Sequence, residues 1–378
     1  MTTHWASRIE GWMREQFPRH PHIYFGVGGT TLLSEAFQQQ PRSTVVLPAF
    51  ICPNISTAAV TAGKRVIHVD AARHTQLPDP AQLDTCLASL DESDTVLLID
   101  HSFGYPFANL PALRRRFPKL LIVEDYARAL GLKLGGTSPG ASADLILFSM
   151  YKTTSGSSNG AMLLSTIPLR IEEGPRLVPT VRERVATIPP LKYAYHLMQR
   201  FRSSDLQSRV GDGQATFPQW KPEHGLPNEL CCARFFAELT RTETRGPERR
   251  AIAEELTANL TKSGIDCIQA TEGHQSAGNF VSVRLGRPHS RDLVLSKLSK
   301  KGLFVGRTWD IIPMHFRAFD NTFPYGYANS KCLAEQMIHI RLALFSSAAQ
   351  RRSLVDELRE LTQNTAPIPE EESVASFS

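Results

Sequence analysis

Five short apolar runs, each giving way to polar residues, constrain this chain more than any other feature of its 378 residues. They are Val45-Val46-Leu47, Arg65-Val66-Ile67-His68-Val69-Asp70, Thr95-Val96-Leu97-Leu98-Ile99-Asp100, Leu120-Leu121-Ile122-Val123 and Leu145-Ile146-Leu147-Phe148. Runs this short and this apolar suit strands covered on both faces, which is the condition of a parallel sheet. Helical patterns over residues 55–62, 77–90 and 111–117 separate the first four. Strand, helix and strand at that spacing make βαβ units. Their repetition predicts an α/β fold, a mostly parallel sheet with helices on both faces. An opening helix over residues 5–17 precedes it, and a glycine-marked strand over 161–164 follows the last run.

Past residue 230 the rhythm changes. A long helical stretch over 230–260 leads to an alternating strand, Phe280-Val281-Ser282-Val283-Arg284, then an amphipathic helix over 292–300 and a strand over 303–305. Helices over 332–338 and 349–361 close a smaller α/β domain. The expected division is therefore 1–240 for a large domain and 241–365 for the small one, with 366–378 as a disordered acidic tail. Residues 175–218, rich in Arg, Pro and Ser, are expected to wander between the two.

Composition excludes more than it assigns. The net charge of +5 lacks the dense Lys/Arg stripe that nucleic acid binding needs. A mild positive balance instead suits an anionic, phosphorylated substrate. The six cysteines form no CxxC pair and no Cys/His spacing typical of zinc, so no metal is expected and a reducing compartment is. No uncharged apolar stretch reaches the length of a membrane span, and the N-terminus lacks the apolar core of a secretion signal. The expectation is a cytoplasmic protein without a membrane segment.

Three places along the chain could carry chemistry. Gly28-Gly29-Thr30-Thr31 precedes a helical pattern, and glycines with hydroxyl residues at a helix N-terminus either bind a phosphate or make an ordinary capped helix. Asp125 lies one or two positions beyond an apolar run, as a helix cap or as a carboxylate that keeps a pyridine ring cationic. Lys152 sits in a polar loop beyond Phe148, at the edge where open α/β sheets bind ligands. It is either a solvated loop lysine or, partly desolvated, an imine-forming nucleophile.

Their order brings a family into view. With Leu47-Pro48-Ala49-Phe50, Gly63-Lys64-Arg65-Val66, His101-Ser102-Phe103-Gly104, Val123-Glu124-Asp125, Ala129-Leu130-Gly131, Phe148-Ser149, Gly160-Ala161 and Gly306-Arg307-Thr308-Trp309, the chain resembles a fold-type I pyridoxal phosphate enzyme, specifically a DegT/StrS-type (DegT/DnrJ/StrS) sugar aminotransferase. The resemblance implies that Lys152 holds pyridoxal 5'-phosphate and moves the proton, and that Asp125 pairs with the pyridine nitrogen. It implies that Gly29, Thr30, Thr31 and Ser149 bind the phosphate, and that Arg307 and His315 face the substrate. It further implies a glutamate-type amino donor, a keto-sugar acceptor (a nucleotide-linked sugar of polysaccharide or natural-product biosynthesis) and a homodimer. Dehydration on the same scaffold and a non-catalytic binding member are the alternatives. Four departures stand out. Cys52 replaces a stacking aromatic ring, Arg128 replaces Gln or His near the phenolic oxygen, and Ser149 to Lys152 is two residues short. The partner-subunit loop near 215–228 lacks its Asn-x-Arg pattern, leaving Lys221 or His224 as substitutes.

Overall fold

All five apolar runs become strands in the computed structural model, which describes residues 4–132, 140–154, 157–185, 221–271, 273–286, 288–303, 305–307, 309, 311–345 and 347–363. The strands are β1 His22–Gly26, β2 Thr44–Pro48, β3 Arg65–Val69, β4 Thr95–Asp100, β5 Leu121–Asp125, β6 Leu145–Ser149 and β7 Ala161–Ser165. They form one seven-stranded sheet in the order β1-β7-β6-β5-β4-β2-β3. Strands β2 to β6 pair in parallel, and β7 runs antiparallel between β6 and β1. The expected α/β architecture is therefore present. The acidic tail and most of the 175–218 segment lie outside the described residues.

Side-chain alternation explains why the strands are apolar throughout. Val45, Leu47, Val96, Leu98, Leu121, Val123, Leu145 and Leu147 point to one face. There they meet helices α2 Gly29–Gln38 and α3 Pro53–Thr61 through Leu32, Leu33, Phe37, Ile55 and Ala58. Val46, Leu97, Ile99 and Ile122 point the other way, toward α4 Pro80–Ala88 and α5 Leu110–Arg116. Ile146 and Phe148 do so under α1 His4–Gln16 and the helix Glu229–Lys262. A strand covered twice has no polar face to offer solvent.

The C-terminal part corrects two expectations. Its sheet is three-stranded and antiparallel, β10-β9-β8, built from β8 Asp266–Cys267, β9 Phe280–Arg284 and β10 Met337–Arg341. The helix expected over 332–338 instead spans Ala328–Gln336 and gives way to β10. Ile338 and Ile340 drop into the small core while His339 and Arg341 take the opposite face, a period of two that only a strand provides. The strand expected over 303–305 is not formed by its described residues. The neighbouring Gly306 makes an isolated bridge to His339, and β10 is the strand that pairs with β9.

Asp70 ties the two parts together. Its carboxylate, 3% exposed, follows β3 and accepts from Asn329 N at 3.0 Å, Ser330 N at 2.8 Å and Ser330 Oγ at 2.6 Å. Asn329 N and Ser330 N are first-turn N–H groups of helix Ala328–Gln336, whose own cap residue, Tyr327, supplies no side-chain acceptor. A distant aspartate thus caps this helix. Charge-assisted bonds are worth about 1.5–3 kcal/mol each, and non-additively. Asp70→Ala is therefore expected to cost about 3 kcal/mol, read as a lower urea midpoint. A shift too small to resolve would mean that water replaces the carboxylate at no cost.

Candidate active site

Parallel strands end on one edge, and the polar residues that follow them gather there. Asp125 is the last residue of β5 itself, not one or two positions past it as expected. It lies opposite Asp100 of β4 and opposite Leu147 of β6 in the ladder. Ser149 ends β6 two residues farther along, level with Ala161 of β7, which is itself level with Gly26 of β1. Lys152 follows on a short helix, α6 Met150–Thr153, rather than on the open loop that was expected.

Two backbone bonds fix these pieces to each other. Gly160 N donates to Val27 O at 2.7 Å, and Met150 N donates to Gly160 O at 2.9 Å. The start of α6 and the approach to α2 therefore hang on one glycine. Gly160 has φ +106, and a Cβ there would lie 2.7 Å from Cys231 Sγ, so only glycine fits. Gly29 is held equally close. A Cβ on it would meet Leu147 Cδ2 at 3.0 Å, so the first turn of α2 rests directly on β6.

The N-terminus of α2 carries no side-chain cap. Its N-cap is Gly28, with no side-chain acceptor for the first N–H groups. Thr31 is 7% exposed, and its Oγ1 accepts from Glu223 N at 3.2 Å; Thr30 stays half-buried. Ser149, 4% exposed, has no hydrogen-bond partner for its Oγ. A buried hydroxyl left unpaired costs about 1–3 kcal/mol, and it stands beside an uncapped helix start. Together they are the makings of an anion cradle.

Asp125 is 3% exposed and accepts from Ala127 N at 2.7 Å, inside a turn rather than at a helix start. Burial pushes its pKa up, opposed by Lys152, by the Ala127 N–H, by His101 and by Arg128. Lys152 is half-buried, and no described residue forms a hydrogen bond or ion pair with its amine. A buried carboxyl that needs a cation faces a lysine that has no other engagement. Beneath them His101 Nδ1 accepts from Phe107 N at 3.2 Å, which leaves the ring proton on Nε2 to be donated to Glu124 Oε2 at 2.9 Å.

Arg128 lies with its guanidinium 5.1 Å from the centre of the Phe103 ring, and its Nε is buried without an acceptor. Burial holds its pKa below the ordinary arginine value; Cys52, Asp100, Tyr151 and Asp125 act the other way. Cys52, half-buried at the N-cap of α3, therefore belongs to the same neighbourhood. Phe103 was missed as a site residue by sequence reasoning. Its φ of 56 is rare outside glycine, and its ring is packed on His339 at 3.6 Å and edge-on to Trp309 at 4.9 Å. Trp309, also at positive φ, is 8% exposed and packs on Phe50 at 5.3 Å.

The remaining expected residues are otherwise engaged. Arg307 pairs with Asp292 at 3.0 Å, and His315 Nδ1 meets the backbone of Ile312, accepting from its N at 3.1 Å. No described contact brings either to Lys152. His224 Nδ1 lies 2.8 Å from Glu35 of its own chain, with Glu172 at 3.8 Å on Nε2.

Residues 26–164 match the DegT/DnrJ/EryC1/StrS aminotransferase family. No curated protein sequence matches significantly. Among solved structures, a DegT DnrJ EryC1 StrS aminotransferase from Brucella abortus is 16% identical, with a TM-score of 0.69, covering 96% of this chain and 91% of its own. DesV of S. venezuelae is 18% identical at 0.69, covering 97% and 91%. A Streptococcus pneumoniae protein described as a sugar aminotransferase, in its PLP form, is 16% identical at 0.70, covering 96% and 92%. At these identities the fold is what is shared, the fold-type I architecture.

Proposed function

We propose, for a chain whose residues 26–164 match the DegT/DnrJ/EryC1/StrS aminotransferase family and whose fold is shared with solved aminotransferases, a pyridoxal phosphate-dependent transfer of an amino group to a keto sugar. The observation that carries this reading is one sheet edge. It sets a buried carboxyl, an unengaged lysine and an uncapped helix start on neighbouring elements.

The residues fit the cofactor. The unpaired Ser149 Oγ and the bare N-terminus of α2 suit a phosphate dianion, with Gly29, Thr30 and Thr31 at its entrance. Asp125, short of a cation in its burial, suits a protonated pyridine nitrogen. Arg128 and Cys52 share the neighbourhood of Asp125, where they would border the ring. Pyridoxal phosphate bound there supplies an electron sink for a carbanion formed next to nitrogen. The chain's own work is simpler. Lys152 Nζ takes a proton from the donor's α-carbon and returns one to the acceptor's carbonyl carbon, as a general base and then acid. Asp125 stays ionised to hold the ring's charge, and the sheet edge keeps the groups in register.

A glutamate-type donor and a nucleotide-linked sugar complete the proposal, supported by the mild positive charge and by the sugar aminotransferase among the structural neighbours. Arg307 and His315 stay assigned to the substrate side through the resemblance alone. We further assign a homodimer and a cytoplasmic setting, the latter supported by six free cysteines. No described helix is long and apolar enough to cross a membrane. A large and a small domain dividing near residue 240 are supported by helix Glu229–Lys262, whose Phe235 and Leu239 join the large core and whose Leu256 and Leu260 join the small one.

The test is spectral. Purified protein loaded with pyridoxal phosphate should show a visible band that L-glutamate removes and a keto-sugar nucleotide restores. A protein that takes up no cofactor ends the enzyme reading. A band that no amino donor changes replaces transamination with dehydration.

A further inference from the structure

Glu35, Glu172 and His224 take no part in the chemistry derived above, yet they converge on one cleft beside α2. One ligand atom from each lies within 4.8 Å of the other two. They come from three distant stretches of the chain, so no spacing in the sequence announces them. Each stretch is positioned by contacts outside the three side chains. Glu35 stands one turn after Thr31 on α2, and Thr31 Oγ1 accepts at 3.2 Å from the N–H of Glu223, the residue before His224. Gly174 packs against the same segment, where a Cβ would lie 2.5 Å from His224 C. Gln39 Nε2 donates to Arg170 O at 2.9 Å, and its Oε1 accepts from Arg170 N at 2.6 Å. That exchange pins the approach to Glu172 onto the end of α2. Two of the ligand atoms are buried and unsatisfied. Glu35 is 9% exposed; its Oε2 accepts from Glu172 N at 3.0 Å, and its Oε1 makes no hydrogen bond. His224 Nδ1 lies 2.8 Å from that Oε1, also without hydrogen-bond geometry. The contact is close but off the hydrogen-bonding line. A buried carboxylate oxygen left in that state is costly, and a cation shared with the ring nitrogen removes the cost.

We propose that Glu35, Glu172 and His224 bind a divalent transition-metal ion, zinc by preference, with water completing its shell. An imidazole with carboxylates is a donor set that zinc accepts, whereas magnesium and calcium favour oxygen ligands alone. Zinc sits about 2.0–2.2 Å from such ligands, which sets them roughly 3.4 Å apart in a tetrahedral shell. That separation falls between the 2.8 Å of the Nδ1–Oε1 contact and the 4.8 Å that bounds all three. The bond from Glu172 N already orients the Glu35 carboxylate, as an outer partner of a metal ligand does. Arg170 also lines the cleft, but two carboxylates outweigh its charge. The Glu172 side chain is 72% exposed, which gives the ion its way in and its water. Once bound, the ion staples the segments around residues 172 and 224 to α2.

The probe is the metal alone. Equilibrium dialysis of the full chain, stripped with a chelator and free of pyridoxal phosphate, should show zinc bound at one site per chain. Glu35→Gln and His224→Gln should each weaken binding about 100-fold, and the more exposed Glu172→Gln about tenfold. Zinc at about a hundred times its Kd should raise the parent's melting temperature by about 3 °C and leave that of Glu35→Gln unchanged. Cobalt(II) in place of zinc should give visible ligand-field bands without the near-ultraviolet charge transfer of a thiolate, which separates this site from the free cysteines. Magnesium should not compete. His224→Gln leaves α2 untouched, so it decides the matter if Glu35→Gln fails to fold. No bound zinc, a thiolate charge-transfer band, or binding unchanged by His224→Gln overturns the proposal and leaves a plain ion pair between Glu35 and His224. Because the dialysis uses cofactor-free protein, its outcome does not depend on the aminotransferase reading.

Discussion

Lys152→Ala should lose amine transfer by about 10⁴-fold or more, the upper range for removing a general acid–base group, while keeping its fold. The fold is expected to survive because the amine makes no bond to a described residue and sits on a helix of one turn. Nothing structural rests on it. No second lysine, and no histidine or cysteine, lies between Ser149 and Lys152 to take over the chemistry. Lys152→Arg separates charge from chemistry. It keeps a cation near Asp125, yet a guanidinium cannot give up its proton to become a nucleophile. Both variants should therefore be inactive. Borohydride should fix the cofactor covalently to the parent protein alone, which mass spectrometry reads directly. A Lys152→Ala protein that still retains a borohydride-fixed cofactor would place the anchor on another lysine.

The large sheet was legible because its strands are buried on both faces, and nothing but unbroken apolar runs survives there. Lys152, Asp125 and Gly29-Thr30-Thr31 could be set near strand ends and a helix start because the same runs fix those ends. What was lost has a physical cause in each case. Residues 337 and 338 were read as the end of a helix because the preceding residues do form one. Yet Ile338-His339-Ile340-Arg341 alternates, and that period of two was the signal for β10 and for where Arg341 points. Phe103 could not be recognised from sequence, since its φ of 56 and its contacts with His339, Trp309 and Phe280 come from the junction of two parts of the chain. Ser149 lay two residues closer to Lys152 than the family pattern provides, and the one-turn helix α6 accommodates that shorter approach.

Asp125→Asn is expected to stabilise the cofactor-free protein and disable the loaded one. Burial raises the Asp125 pKa above its unfolded value, with Lys152 the largest opposing influence. The folded state therefore binds more protons than the unfolded state between the two pKa values, and stability falls as pH rises through that window. The contribution of the protonated carboxyl is complete below the unfolded pKa, near 4, and is lost as pH rises through the folded one. Asparagine removes the titration and still offers an oxygen to Ala127 N, now 2.7 Å away. Melting of cofactor-free protein should thus rise by about 2–4 °C at pH 8 if about 1 kcal/mol is recovered, with the gain vanishing near pH 4. Loaded with pyridoxal phosphate the sign reverses. A neutral amide cannot hold a cationic ring nitrogen, and losing one preorganised electrostatic partner costs about 10²–10³-fold in kcat. The two measurements discriminate sharply. A carboxyl kept only for packing would lower the cofactor-free melting point and leave kcat within tenfold, and that pair of results would remove Asp125 from the site.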